Sequence, residues 1–291
     1  MSLESALALI ESVKDDRVLF IGETIIDEYR FVTPLAKPPK ENVLAVRIQS
    51  TEMYEGGVNA AVAHARSFCQ AVQVYFGNRI VKTRFVDTDR RKLFEVQELD
   101  ETLTEFSRDL AELLEDGVYA ITDFGHGALS PLLIHELCAS KRFLAVACQT
   151  NAANHGFNLI TKYPRADYIV IDEPEARLAA ADRDSPIEAV MRKLAEGRCE
   201  RFIVTHGKHG AYGLDRGRFL HQPTFSKNIV DTMGAGDAFF AVTAPMAKTG
   251  SIEDLLLIGN AAGAVKCSIL GHRDSVSKPK LIAYLNETTP R

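Results

Sequence analysis

No apolar run in this 291-residue chain approaches the roughly 18 residues that a helix needs to cross a bilayer, so the sequence predicts no membrane span. The opening MSLESALALIESVKDD has acidic residues where a secretory leader would carry positive charge, and it reads instead as a short amphipathic helix. None of the five cysteines (Cys69, Cys138, Cys148, Cys199 and Cys267) forms a CxxC pair. A scattered, odd-numbered set argues against a disulfide framework or a zinc cage and fits the reduced thiols of a cytoplasmic protein. Lys and Arg form no long run and the net charge is −5, so no nucleic-acid partner is expected. There is no GxxxxGK[ST] and no intact GxGxxG after a strand, which removes the two commonest phosphate loops. Internal repeats, low-complexity tracts and linkers between independent domains are absent as well.

What remains is a rhythm of buried strands and amphipathic helices. RVLFIGE, GVYAITDFG, RFLAVACQT, ADYIVIDE and RFIVTHG are short apolar runs of the kind buried on both faces of a parallel sheet. Between them, Leu103, Phe106, Leu110 and Leu113 recur at helical spacing. Ser130-Pro131, Ser185-Pro186 and Ser251 with Asp254 supply helix starts. Alternating strands and helices predict an α/β fold with a mostly parallel central sheet covered on both faces. Two segments break the rhythm: NVLAVRIQS and RIVKTRFVD alternate with period two, and RRKLFEVQE reads as a hairpin partner of the second. They predict antiparallel strands of a small separate sheet, with Lys82 and Arg84 on one face of their strand.

The chemistry concentrates in IVDTMGAGDAFFAVTAPMAK, residues 229–248. Ile229 and Val230 read as a strand running into Gly234-Ala235-Gly236 and then into a helix beginning near Asp237. A glycine turn at a helix N-terminus presents free N–H groups and partial positive charge to a phosphate. A carboxylate directly after that cradle can take the proton of an attacking hydroxyl, since phosphoryl transfer needs positioning more than covalent help. A helix-capping Asp is an equally good reading of GAGD by itself.

DTMGAGD closely resembles the C-terminal signature of the ribokinase-like (PfkB) family of carbohydrate kinases. Further stretches resemble the family in the expected order: FIGETIIDEY, EGGVNAA, IDEPEARL, VTHGKHG and GNAAGAVKCSILG. ITDFGHGALS resembles the corresponding turn of the heptose-phosphate kinase branch. The resemblance implies a ribokinase-like three-layer fold over residues 1–291, with a β lid formed by segments at about 28–55 and 79–98. It implies Asp237 as catalytic base and Gly234, Ala235 and Gly236 as the anion hole. It places Asp27, Gly56, Gly57, Asn59 and Asp123 at the sugar, and Thr205, Gly207, Gly210, Thr232 and Asn260 at ATP. Asp172 and Glu175, with Glu173, would hold the water shell of Mg2+, an ion that keeps several of its waters. Asp231 and Thr232 match positions that border a potassium site in some relatives, which adds a monovalent cation to the expected cofactors.

Two cations on one lid face, Lys82 and Arg84, point to an anionic acceptor such as a sugar phosphate, although a solvated strand face gives the same pattern. The expected activity is ATP-dependent phosphorylation of a sugar or sugar phosphate, a heptose phosphate by the nearest branch. In the family the lid often forms a homodimer interface. Relatives of this branch are often joined to a nucleotidyltransferase, here expected as a separate partner because no HxGH-type motif is present. His206 and His209 in HGKHG read as loop histidines. The chain also departs from the family pattern. Only Gly77, Asn78 and Arg79 separate VQVYF from IVKTRFV, Ala61 stands where asparagine is usual, Asp172 replaces asparagine and His126 replaces lysine. These departures motivate a second reading, a ribokinase-like binding module with impaired turnover.

Overall fold

The apolar runs of the sequence become the middle of one sheet. The computed structural model of the chain describes residues 2–99, 117–225 and 229–289, so the helix expected around Leu103–Leu113 lies outside the described residues. In chain order the elements are α1 (Leu3–Ser12), β1 (Arg17–Pro34), β2 (Val46–Gly57), α2 (Val58–Ala65), β3 (Gln70–Val86), β4 (Lys92–Leu99), β5 (Val118–Asp123), α3 (Pro131–Ala139), β6 (Phe143–Cys148), β7 (Tyr168–Asp172), α4 (Glu173–Ala180), α5 (Ile187–Ala195), β8 (Arg201–Thr205), β9 (Ala211–Asp215), β10 (Arg218–Gln222), α6 (Ala235–Thr243), α7 (Ile252–Cys267) and α8 (Lys278–Thr288). The sheet order is β10-β9-β8-β7-β6-β5-β1-β3-β4, with β2 also on β1. Strands β5 to β8 and the first halves of β1 and β3 are parallel, while β9 and β10 form an antiparallel edge.

Helices cover both faces. One core packs α1, α2, α6, α7 and α8 against the sheet through residues such as Ile10, Phe20, Phe240, Leu256 and Leu281. The other packs α3, α4 and α5 through Leu137, Ala176 and Met191. Strand β5 is buried along its whole length, as its unbroken apolar run requires. Ser2, Ser130 and Ser251 cap α1, α3 and α7 through side-chain oxygens. Helix α5 starts one residue later than Ser185-Pro186 suggests, with Pro186 itself at the cap position. No helix among the described residues is long and apolar enough to cross a membrane.

The lid differs from the expected separate antiparallel sheet. Strands β1 and β3 both run on out of the main sheet; their parallel pairing shifts register between Glu23 and Ile25 and resumes in the lid, Ile25 opposite Ile80 through Phe31 opposite Val86. Where β5 ends, β2 takes its place beside β1, antiparallel from Thr24 to Pro34. Strand β4 adds antiparallel to the far side of β3, as the hairpin reading anticipated. Gly77, Asn78 and Arg79 lie within β3 at that register shift, between Phe76 opposite Glu23 and Ile80 opposite Ile25. The expected strand at Ile229 and Val230 is absent. Both side chains are exposed, and the Val230 and Asp231 amides instead donate to the Cys267 carbonyl at 2.8 and 3.1 Å.

Helix α6 is held in place by a close crossing with α7. A Cβ at Gly259 would lie 2.3 Å from the Phe239 ring, so only glycine lets the two helices approach this far. Gly259→Ala should cost about 1–3 kcal/mol, the usual scale of overpacking, measured by chemical denaturation. A loss below the error of that measurement would show that α6 can shift freely.

Candidate active site

The C-terminal ends of β5, β6, β7 and β8 lie side by side next to the middle of β1, the edge of an open α/β sheet where ligands bind. Helix α6 points its N-terminus there. Gly234 precedes it in the left-handed region (φ 72°), and a Cβ at Gly236 would meet nothing within 4 Å. The Ala235 amide donates to the Thr232 carbonyl at 3.3 Å, whereas the Gly236 and Asp237 amides have no acceptor among the described residues. Two free N–H groups at a helix start suit an anion. Asp237 stands beside them, its Oδ1 accepting from the Gln149 amide at the end of β6. Burial raises the Asp237 carboxyl above its ordinary value, while His272, Gln149 and Lys266 pull it back.

The lid register places the acceptor candidates on one face. Asp27 is opposite Tyr54 on one side and Lys82 on the other, and Tyr29 is opposite Arg84. Lys82 and Arg84 are both buried, which rules out the solvated strand face. Arg84 binds Asp27 Oδ1 and reaches Glu95 with Nε at 2.8 Å, while His272 Nε2 lies 3.2 Å from Asp27 Oδ2. Burial alone would raise the Asp27 carboxyl, but the His272 and Arg84 contacts outweigh it and hold the group at about 2. Gly56 is pressed against this carboxylate: a Cβ there would sit 2.2 Å from Asp27 Oδ2. Gly57 precedes α2, and Asn59 in its first turn is buried with an Oδ1 that has no partner among the described residues. Lys82 forms no hydrogen bond or ion pair among the described residues. Burial lowers its ammonium from the ordinary value, with Asp27 and Glu95 acting against that.

Asp123 is placed differently from the sugar-binding position expected for it. It is buried below the turn, where Tyr163 and Lys162 meet Oδ2 at 2.5 Å each and Asn158 and the Gly125 amide take Oδ1 at 3.1 and 3.0 Å. With both oxygens engaged, its carboxylate holds the 123–127 turn together. Glu23, which sequence reasoning passed over, grips the same turn by accepting from the Phe124, His126 and Ala128 amides at 2.8, 2.7 and 3.4 Å. Burial, reinforced by Asp123, pushes the Glu23 carboxyl up to about 7.

On the nucleotide side, Asp172 and Thr205 are paired neighbours at the ends of β7 and β8. Asp172 and Glu175 form the capping box of α4, and Glu175 also accepts from the Thr150 amide at 2.9 Å. Burial, with Asp172 and Asp237 nearby, pushes Glu175 up to about 8. A half-buried carboxylate repelled by two others is a setting that a divalent cation relieves, so the residues fit Mg2+ held largely through its waters. Glu173 is taken by Arg177 and His206 at 2.8 and 2.6 Å. No group of three His, Cys, Asp or Glu among the described residues is placed to hold a metal ion directly, and His206 and His209 are turn residues. Gly207 and Gly210 shape the turn after Thr205, Asn260 on α7 donates to the Gln222 carbonyl at 3.1 Å beside it, and Thr232 is exposed.

His272 and Gln149 come from loop positions with no motif of their own, and Lys266 lies within GNAAGAVKCSILG, where nothing local marks a lysine at a helix end. His126 could be seen as a departure, yet its ring, half-buried and 3.4 Å from Asn151 Nδ2, belongs to the same wall.

The raised Glu23 value has a sign that can be tested. A carboxyl whose folded value lies above 4.5 stabilises the fold at low pH and loses that contribution as pH rises through about 7. The melting temperature should therefore fall between about pH 4.5 and 7, and Glu23→Gln should flatten that fall. Parallel pH profiles for wild type and variant would remove the account of Glu23.

Comparison with known proteins agrees with this geometry. The family model described as "pfkB family carbohydrate kinase" matches residues 94–279. The Bifunctional protein HldE of Methylococcus capsulatus is 25% identical over 319 residues, covering 94% of this chain. The match spans 65% of that protein's own length. Among solved structures, Arabidopsis thaliana ribokinase complexed with ribose and ATP superposes with a TM-score of 0.70 at 14% identity, covering 93% of this chain and 99% of that one. Escherichia coli Phosphofructokinase-2 in complex with potassium gives 0.65 at 16% identity, covering 94% and 99%. With the ribokinase-like sheet, the lid and the GAGD helix start in place, and the family model matching well over half of its length, the chain belongs to the pfkB family of carbohydrate kinases.

Proposed function

We propose that the protein transfers the terminal phosphoryl group of ATP to a hydroxyl of a sugar that already carries an anionic group, with Asp237 as general base. The observation that carries this reading is the pairing of Asp237, raised by burial, with the unpartnered Gly236 and Asp237 amides at the start of α6. Asp237 accepts the hydroxyl proton as the acceptor oxygen bonds to the γ-phosphorus and the bond to the β-phosphate oxygen breaks, releasing ADP. Gln149 orients the carboxylate, and the amides face the charge that accumulates on the transferred group. Asp172 and Glu175 would hold Mg2+, which would supply charge neutralisation on the phosphates. Thr205, Gly207 and Gly210 border the nucleotide.

On the acceptor side, Asp27 and Asn59 face the sugar hydroxyls, and Lys82 takes the anionic group. Arg84 is committed to Asp27 and Glu95, which leaves Lys82 as the buried cation without a partner among the described residues. A heptose phosphate is the acceptor favoured by the likeness to HldE, a relative described as bifunctional. A nucleotidyltransferase acting on the product is the partner this suggests. The lid's other face exposes Met53, Phe94 and Val96, with Ile48 further along β2, which supports a homodimer through the lid. A binding module without turnover would have no use for a base beside an anion cradle.

Two variants separate chemistry from recognition. Asp237→Asn should lower kcat about 1,000-fold while ATP still binds by calorimetry. Retention of wild-type turnover would remove Asp237 as the base. Lys82→Ala should raise KM about tenfold for a phosphorylated acceptor while leaving KM for its unphosphorylated counterpart unchanged. Equal effects on both acceptors would show that Lys82 does not read the anionic group.

A further inference from the structure

Lys266, in the last turn of α7, is fully buried, yet no carboxylate lies within ion-pair distance of its ammonium among the described residues. Instead Nζ donates to the Met233 carbonyl and to the Gly271 carbonyl, each at 2.8 Å. These carbonyls belong to two different loops, one leading into Gly234 and α6 and the other following α7. Asp231 ties the same loops from the side, its Oδ1 accepting from the Met233 amide at 3.1 Å and its Oδ2 from the Gly271 amide at 3.0 Å. Lys92 of the lid approaches Asp231 Oδ1 at 3.7 Å, and the Cβ position of Gly234 lies 3.3 Å from Lys266 Cε. A single positive charge therefore sits directly under the anion cradle, held by main-chain oxygens.

A cage of carbonyls from two loops, with one carboxylate nearby, is the environment that a monovalent cation is given in a protein. Here an ammonium of the chain itself occupies it. A free ion at this place would compete for the same oxygens and would bury a second positive charge against the first, a cost that burial magnifies. The residues thus do not fit the monovalent cation that the match of Asp231 and Thr232 suggested. We propose that the Lys266 ammonium takes the role of a monovalent cation in this chain. It braces the loop of the anion cradle, and it makes both the fold of that loop and turnover independent of potassium. Lys266 acts through Met233 and Gly234, so it is a positioning residue. The turnover part of this proposal rests on the kinase reading above, whereas the folding part does not.

The test compares wild type and Lys266→Ala in choline chloride, potassium chloride and ammonium chloride at equal ionic strength, reading both melting temperature and ADP release. The wild type should melt at the same temperature and turn over at the same rate in all three salts. Lys266→Ala, with the ammonium removed and space left for an ion, should lose about tenfold in turnover and melt lower in choline, the scale of a lost hydrogen bond to a charged group. Potassium or ammonium should restore part of both. A wild type whose melting temperature or rate rises with potassium overturns the proposal, and so does a folded Lys266→Ala that ignores both ions. If the variant does not fold, the salt response of the wild type decides. If no acceptor supports turnover, the kinase reading fails and the melting temperatures still decide for or against Lys266.

Discussion

Strand β1 bonds on both edges along most of its length, first to β5 and β3 and then to β2 and β3. Everything at the acceptor site depends on that continuity. Because the strand does not break at Gly22-Glu23-Thr24, the alternation of its side chains is carried from the core into the lid, and Asp27 and Tyr29 emerge on the same face. The parallel continuation of β3 sets Lys82 and Arg84 beside them. A hinge between sheet and lid would leave these charges to find one another; here the backbone ladder places them. The Tyr29 hydroxyl meets the Met233 sulfur at 3.1 Å, and Arg273 binds Glu52 of the lid with both guanidinium ends, so the lid is also fastened to the loops around α6.

The site treats its carboxylates in opposite ways, and the difference follows from their neighbours. Asp27 is clamped by Arg84 and His272 and stays ionised down to about pH 2, which suits an anchor that accepts hydrogen bonds and never takes a proton. Asp237 has an amide and more distant cations for company, so burial prevails and its affinity for a proton rises. That is the direction required of a base that must accept a proton during transfer. Glu175 is pushed up to about 8 by burial near two other carboxylates, the signature of a place that awaits positive charge.

Much of this was legible in the sequence where a local signal had a local cause. The glycine turn before Asp237, the helix starts at Ser130 and Ser251, and the shared face of Lys82 and Arg84 each follow from spacing alone. The join between sheet and lid was not legible. In RVLFIGETIIDEYRFV an apolar run buried on both faces changes to period-two alternation, and the Gly-Glu-Thr between them looks like a turn. Ile229 and Val230 have strand composition but lie exposed, because the loop is held by hydrogen bonds from the Val230 and Asp231 amides to the Cys267 carbonyl that no periodicity encodes. Asp123 carried the right residue type in the right turn, yet Lys162, Tyr163 and Asn158 reach it from a segment far along the chain. Gln149, His272 and Lys266 were invisible for the same reason: their roles exist only once separate loops meet.

The most direct test of the account is phosphorus NMR of the purified protein with Mg-ATP and a panel of free and phosphorylated sugars. The account predicts a new phosphomonoester resonance that grows in step with ADP for at least one phosphorylated acceptor. ATP left unchanged across the panel, or conversion to ADP and inorganic phosphate alone, would contradict it.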